Sequence, residues 1–121
     1  PKHSFHYYGR DDTLYVFEAP IDLLSYISLH PENWEAHNYV SCCGVSAIPL
    51  MEALRQLPQV AQVYLCLDND EAGHAACARM AELLKDQNLS AVRLVPQRKD
   101  WNDDLTLGGE NAQGLTLTEM G

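Results

Sequence analysis

Positive charge is scarce in this chain of 121 residues. Eight Lys and Arg stand against seventeen Asp and Glu, for a net charge of −9. That balance excludes a domain that grips a nucleic-acid backbone unaided through a broad basic face. Paired cysteines are missing as well. Cys42, Cys43, Cys66 and Cys77 show no C-x-x-C spacing, which argues against a structural zinc site. Cys42 and Cys43 adjoin on a predicted strand and so point to opposite faces. With Cys66 in an apolar strand and Cys77 on a helix, all four read as buried, reduced thiols of a cytoplasmic protein. No apolar run approaches the roughly 20 residues that span a bilayer, and no signal-peptide pattern is visible. The chain opens at Pro1 in a polar stretch whose His3 and His6 lack the context of a metal pair. Such a start suggests a segment of a longer protein, with neighbouring domains sharing the function.

Apolar content is ample. Hydrophobic residues make up 46% of the chain, enough for a core, and the length suits one domain. Thr13 to Phe17 is β-branched and aromatic, follows the turn signal Gly9-Arg10-Asp11-Asp12, and reads as a strand that ends at Glu18. Pro20 suits a first helical turn, and Ile21, Leu23, Leu24 and Ile27 continue a helix to about Leu29. Asn38 to Cys43 gives a second strand, closed by Gly44, and Ala47 to Leu57 a second helix, ended by Pro58. Gln62 to Leu67 is the third and most apolar strand. An Ala-rich helix follows from about Glu71 to Gln87, then a fourth strand from Ala91 to Val95, stopped by Pro96. Strand and helix alternate four times. This predicts a three-layer α/β fold: a four-stranded parallel sheet with helices on both faces. The expected division is a polar N-terminal segment at 1–12, one domain at 13–104 and a weakly patterned tail at 105–121.

Working groups of open α/β sheets gather beyond the carboxyl ends of the strands. Acids stand there repeatedly: Glu18 after strand one, Asp68 and Asp70 after strand three, and Asp100, Asp103 and Asp104 after strand four. Asp22 lies one helical turn after Glu18, which returns it to the same end. Carboxylates clustered without Cys or His suit a hard cation, above all magnesium with manganese as a substitute. In an extended D-x-D, residues two apart point the same way, so Asp68 and Asp70 can face one site while Asn69 turns aside. The bland alternative for every acid is a helix cap or solvated turn, and it weighs most for Asp103 and Asp104.

The strand ending in Glu18, then Asp22, Gly44, L-D-N-D-x-A-G at Leu67 to Gly73, and Lys99-Asp100 together resemble the Toprim domain. That domain is shared by bacterial primases, type IA and type II topoisomerases and OLD-family nucleases. The likeness runs from about Leu14 to Asp103 and is greatest to the primase-like branch, especially Toprim-like domains of mobile-element proteins. It implies an acid–base role for Glu18 and magnesium at Asp68 and Asp70, supported by Asp22 and Asp100. Two positions depart from the primase pattern: Ala19-Pro20 follows the glutamate, and Asn69 stands where Gly is common. Both leave the acids intact. The resemblance implies phosphoryl transfer on nucleic acid, DNA first, with other domains of the parent supplying the basic groove. Lys99, His74 and Gly44 are candidates for the substrate side, Lys99 as a point charge for phosphate. Lys99 and His74 have an ordinary surface role as the alternative, and Trp101 reads as packing against the sheet rather than stacking on a base.

Two other classes remain. A response-regulator receiver is also small and doubly wound, but it carries an acid pair after strand one and a single acid after strand three. A non-catalytic Toprim-like scaffold would keep the fold and bind nucleic acid or protein without chemistry. If Glu18 and Asp68 share a cation, strands one and three must be neighbours, which predicts strand order 2-1-3-4.

Overall fold

The computed structural model describes residues 4–108. Its strands are β1 (His6–Tyr8), β2 (Thr13–Phe17), β3 (Asn38–Ser41), β4 (Gln62–Leu65) and β5 (Ser90–Arg93). Its helices are α1 (Pro20–Leu29), α2 (Ile48–Gln56), α3 (Glu71–Asp86) and the short α4 (Trp101–Asp103), followed by one π-helical turn, Asp104–Gly108. The sheet order is β1-β3-β2-β4-β5. Strands β3, β2, β4 and β5 are parallel and correspond to the predicted order 2-1-3-4. Among the described residues the sheet has five strands rather than the four expected. The polar opening segment adds β1, which pairs antiparallel with β3 through His6–Val40, Tyr7–Tyr39 and Tyr8–Asn38. An antiparallel edge strand on a parallel sheet is a common way to close an α/β edge.

Side-chain alternation divides the core into two unlike halves. On one face Leu14, Val16, Val40, Val63 and Leu65 pack with Leu50 and Ala53 of α2 and with Ala76, Met80 and Leu84 of α3. On the other, Phe17, Tyr39 and Cys66 pack with Leu23 and Tyr26 of α1 and with Trp101 of α4. Register places Tyr7, Tyr39, Tyr15 and Tyr64 in one row across four strands. Tyr15 stacks on Tyr39 at 5.4 Å and on Tyr64 at 4.9 Å between ring centroids.

The turn before β2 is pinned by Asp11, which accepts from the Thr13 amide and pairs with His37. The chain leaves β3 at Ser41, earlier than expected, through positive-φ backbone at Cys43 and Gly44. That turn exposes Cys43, against the expectation of four buried thiols, while Cys42, Cys66 and Cys77 are buried. Burial pushes the Cys42 thiol up to about 12, the behaviour of an inert core cysteine. No helix among the described residues is long and apolar enough to cross a membrane. His3 and most of the tail expected at 105–121 lie outside the described residues.

Candidate metal centre at the carboxyl end of the sheet

Three side chains converge where β2 and β4 end. One carboxylate oxygen each from Asp22, Asp68 and Asp100 lies within 4.8 Å of the others. Each is delivered by a different element. Pro20 starts α1, and the first turn of that helix carries Asp22, which is buried. Its Oδ1 accepts from the Asn102 amide at 3.1 Å, so α1 is tied to α4 at the site itself. Asp68 follows β4. Asp100 is the N-cap of α4, with Oδ1 accepting from the Asp103 amide at 2.8 Å.

Glu18 completes the rim. Its Oε1 accepts from the Asp68 backbone amide at 3.2 Å, which joins the ends of the neighbouring strands β2 and β4. Asp70 stands slightly apart. In extended backbone it caps α3, its Oδ1 accepting from the Gly73 amide at 2.7 Å, and it is not one of the three converging carboxylates. Gly73 is required by close approach, because a Cβ there would lie 2.1 Å from the Asp68 carbonyl oxygen. The expected L-D-N-D-x-A-G thus combines a converging acid, a cap and a glycine that lets the helix approach.

Electrostatics at this end are unfavourable without a counter-charge. Burial first, then the charges of Glu18, Asp22, Asp100 and Asp70, push the Asp68 carboxyl up to about 7. Burial also raises Asp22, with Asp100, Glu18 and Asp103 adding to the rise and the Asn102 amide opposing it. Among the described residues, Asp68 Oδ1 is buried and has no hydrogen-bond partner, a costly state for a carboxylate oxygen. An oxygen-only donor set with one orphaned buried oxygen fits a magnesium-sized hard cation.

The residues expected on the substrate side are more dispersed. Lys99 is exposed, and its carbonyl accepts from the Asn69 amide at 2.7 Å. Gly44 lies in the turn after β3 at φ 129°, its amide donating to the Glu18 carbonyl. His74 is exposed on the first turn of α3 and bonded to Asn69 and Arg93. Trp101 is buried, its indole N–H donating to the Cys66 carbonyl at 2.9 Å and its ring meeting Tyr26 edge-on. It packs, as expected.

Sequence reasoning missed Arg93. Its guanidinium donates to the carbonyls of Leu65, Leu67, Asp68 and Leu94 at the end of β4 and β5. A lone charge inside the apolar run A-V-R-L-V was the available signal. Asp104, one of the acids for which a cap or turn is the weightiest alternative, accepts from the amides of Gln97 and Arg98 and closes the loop before α4.

Residues 15–105 match the model of the Toprim-like family, a span that contains all of these acids. The chain belongs to that family. Relatives at this level include the uncharacterized protein MG010 homolog of Mycoplasma pneumoniae, 30% identical over 83% of this chain and 46% of the relative. The uncharacterized protein pXO2-78 of Bacillus anthracis is 31% identical over 79% of this chain and 32% of its own length. The chain therefore spans about half or less of the curated relatives it matches. Among solved structures, the Toprim-like fold resembles the primase fragment of the bacteriophage T7 primase-helicase. The TM-score is 0.63 at 23% identity, over 92% of this chain and 45% of that one. It also resembles a chain of the T7 assembly in which lagging-strand DNA polymerase interacts with primase domains bound to an RNA/DNA hybrid and dTTP. There the TM-score is 0.62 at 25% identity, over 89% of this chain and 54% of that one. The Toprim domain is thus of primase-like type.

Proposed function

We propose that this Toprim domain performs magnesium-dependent phosphoryl transfer on nucleic acid, with primase-like strand synthesis on a DNA template as the reaction. The observation that carries the reading is the convergence of carboxylate oxygens from Asp22, Asp68 and Asp100, beside a buried Asp68 Oδ1 with no hydrogen-bond partner among the described residues. These three would hold the cation, and Asp70 would add negative charge beside them while capping α3. When bound, the cation supplies charge neutralisation at phosphate oxygens and eases ionisation of an attacking hydroxyl.

The chain's own residues do the rest. Glu18 uses one oxygen to hold the Asp68 amide, and its other oxygen is the candidate to take the proton of an attacking hydroxyl. Lys99 offers an exposed charge to phosphate from the residue before Asp100. A net charge of −9 leaves the nucleic-acid groove to other domains of the parent protein.

The test is product analysis with the full-length natural protein, single-stranded template, nucleotides and magnesium. Short template-dependent products that vanish in Asp68→Asn and Glu18→Gln support the reading. Cleavage of the labelled template with the same mutant sensitivity would move it to an OLD-type nuclease. Intact template and no product, with a metal-competent protein, would leave a Toprim-like scaffold.

A further inference from the structure

We propose that Arg93 is a positioning residue for Asp68, acting through a latch of three side chains, Arg93, His74 and Asn69, across the open edge of the site. The inference rests on the reading that Asp68 holds a cation.

The backbone just beyond β4 creates the need. The β4–β5 ladder ends at Leu65 and Arg93, so the carbonyls of Leu67 and Asp68 lie past the last paired residues. Arg93, on the edge strand, fills the gap. Nη1 donates to Leu67 O at 2.6 Å, with longer contacts to Leu65 O and Leu94 O, and Nη2 donates to Asp68 O at 2.8 Å. The Asp68 amide is held on its other side by Glu18. Both polar backbone groups of the residue are thereby fixed, leaving its side chain aimed at Asp22 and Asp100.

The latch continues through His74. Nη2 of Arg93 lies 3.1 Å from His74 Nδ1, and His74 Nε2 lies 3.1 Å from Asn69 Oδ1. A guanidinium only donates, so Nδ1 accepts and Nε2 carries the proton that it donates to Asn69. The Asn69 amide group then donates to Pro96 O at 3.1 Å, and the Asn69 backbone N–H to Lys99 O at 2.7 Å. Lys99 precedes Asp100. One connected set of bonds therefore fixes the residues flanking Asp68 and ties them to the segment that presents Asp100.

The planar fork of arginine is essential to this role. A lysine keeps the charge, but a single ammonium with three protons cannot serve these carbonyls and His74 together. In Arg93→Lys, manganese affinity should fall about tenfold or more, the usual scale for partners that orient a ligand. Circular dichroism and melting identify the temperature at which the variant is fully folded, and binding is measured there. A purely structural Arg93 would lower the melting temperature and leave that affinity alone. His74→Ala removes the middle of the latch at an exposed position and should give a smaller loss of affinity with the fold retained. In the metal-free wild type, 15N NMR of the His74 ring should show the Nε2–H tautomer, and the pattern should change in Arg93→Lys. Wild-type manganese affinity in both variants would overturn the proposal, as would an Nδ1–H tautomer in the wild type. If the wild type binds no manganese, the cation reading fails on its own account, and the tautomer still decides the latch.

Discussion

The two faces of the sheet are built from different chemistry and do different work. The α2–α3 face is aliphatic, with Leu14, Val40, Leu50, Val63 and Leu84 wholly removed from solvent. The α1–α4 face is aromatic, with Tyr39, Tyr15 and Tyr64 stacked across the strands and Tyr26 against Trp101. Two of the three converging acids come from the elements of the aromatic face, Asp22 from α1 and Asp100 from the start of α4. Those elements are held to each other and to the sheet by directional bonds: Asn102 to Asp22, Ser25 to Asn102, Trp101 to Cys66. Non-directional packing supplies bulk stability on one side, and on the other, rings and hydrogen bonds fix the angles that a metal centre needs.

Leu84→Ala in the aliphatic face should have the largest effect on stability, about 2–5 kcal/mol in urea denaturation. Manganese affinity below the transition should not change. Loss of affinity in folded protein would show that the two faces are not separable. Trp101→Phe keeps an aromatic ring but strands the Cys66 carbonyl, costing about 1–3 kcal/mol. Unlike Leu84→Ala, it should also weaken manganese, because α4 and Asp100 lose their anchor. Unchanged affinity would reduce the aromatic face to ordinary core. Asp70→Ala should cost about 1 kcal/mol through loss of the α3 cap, while Asp70→Asn, which can still cap, should stay near the wild type.

A change of pH is the gentlest perturbation, since Asp68 is only half-buried and solvent screens it. Its folded-state carboxyl lies at about 7, above the unfolded value of about 3.9. The folded state therefore holds more protons within that window, and metal-free stability should fall as pH rises from about 4 to 7. Manganese affinity should rise over the upper part of the same range as the competing proton leaves. Thermal melts and calorimetry across pH check both signs.

Much of this was legible in the sequence. The four parallel strands were visible because each is an apolar or β-branched run bounded by Gly, Pro or an acid, and their order followed from requiring Glu18 beside Asp68. β1 was hidden because His6–Tyr8 is a three-residue polar and aromatic stretch whose strand character comes only from pairing with β3. Asp70 shows a different limit. The same residue at the same spacing serves as ligand or cap, and its extended backbone and its bond to Gly73 belong to the fold. Arg93 escaped because most of its partners are carbonyls, and the lone charge in A-V-R-L-V does not say which groups it meets. Cys43 was misplaced because its strand stops two residues before it.

The most direct test is manganese binding by the folded chain, followed by calorimetry or electron paramagnetic resonance, in single Asp→Asn variants at positions 22, 68, 70 and 100. The account predicts loss of binding in Asp68→Asn, strong weakening in Asp22→Asn and Asp100→Asn, and only a mild change in Asp70→Asn. Wild-type affinity in Asp68→Asn, or a loss confined to Asp70→Asn, would contradict it.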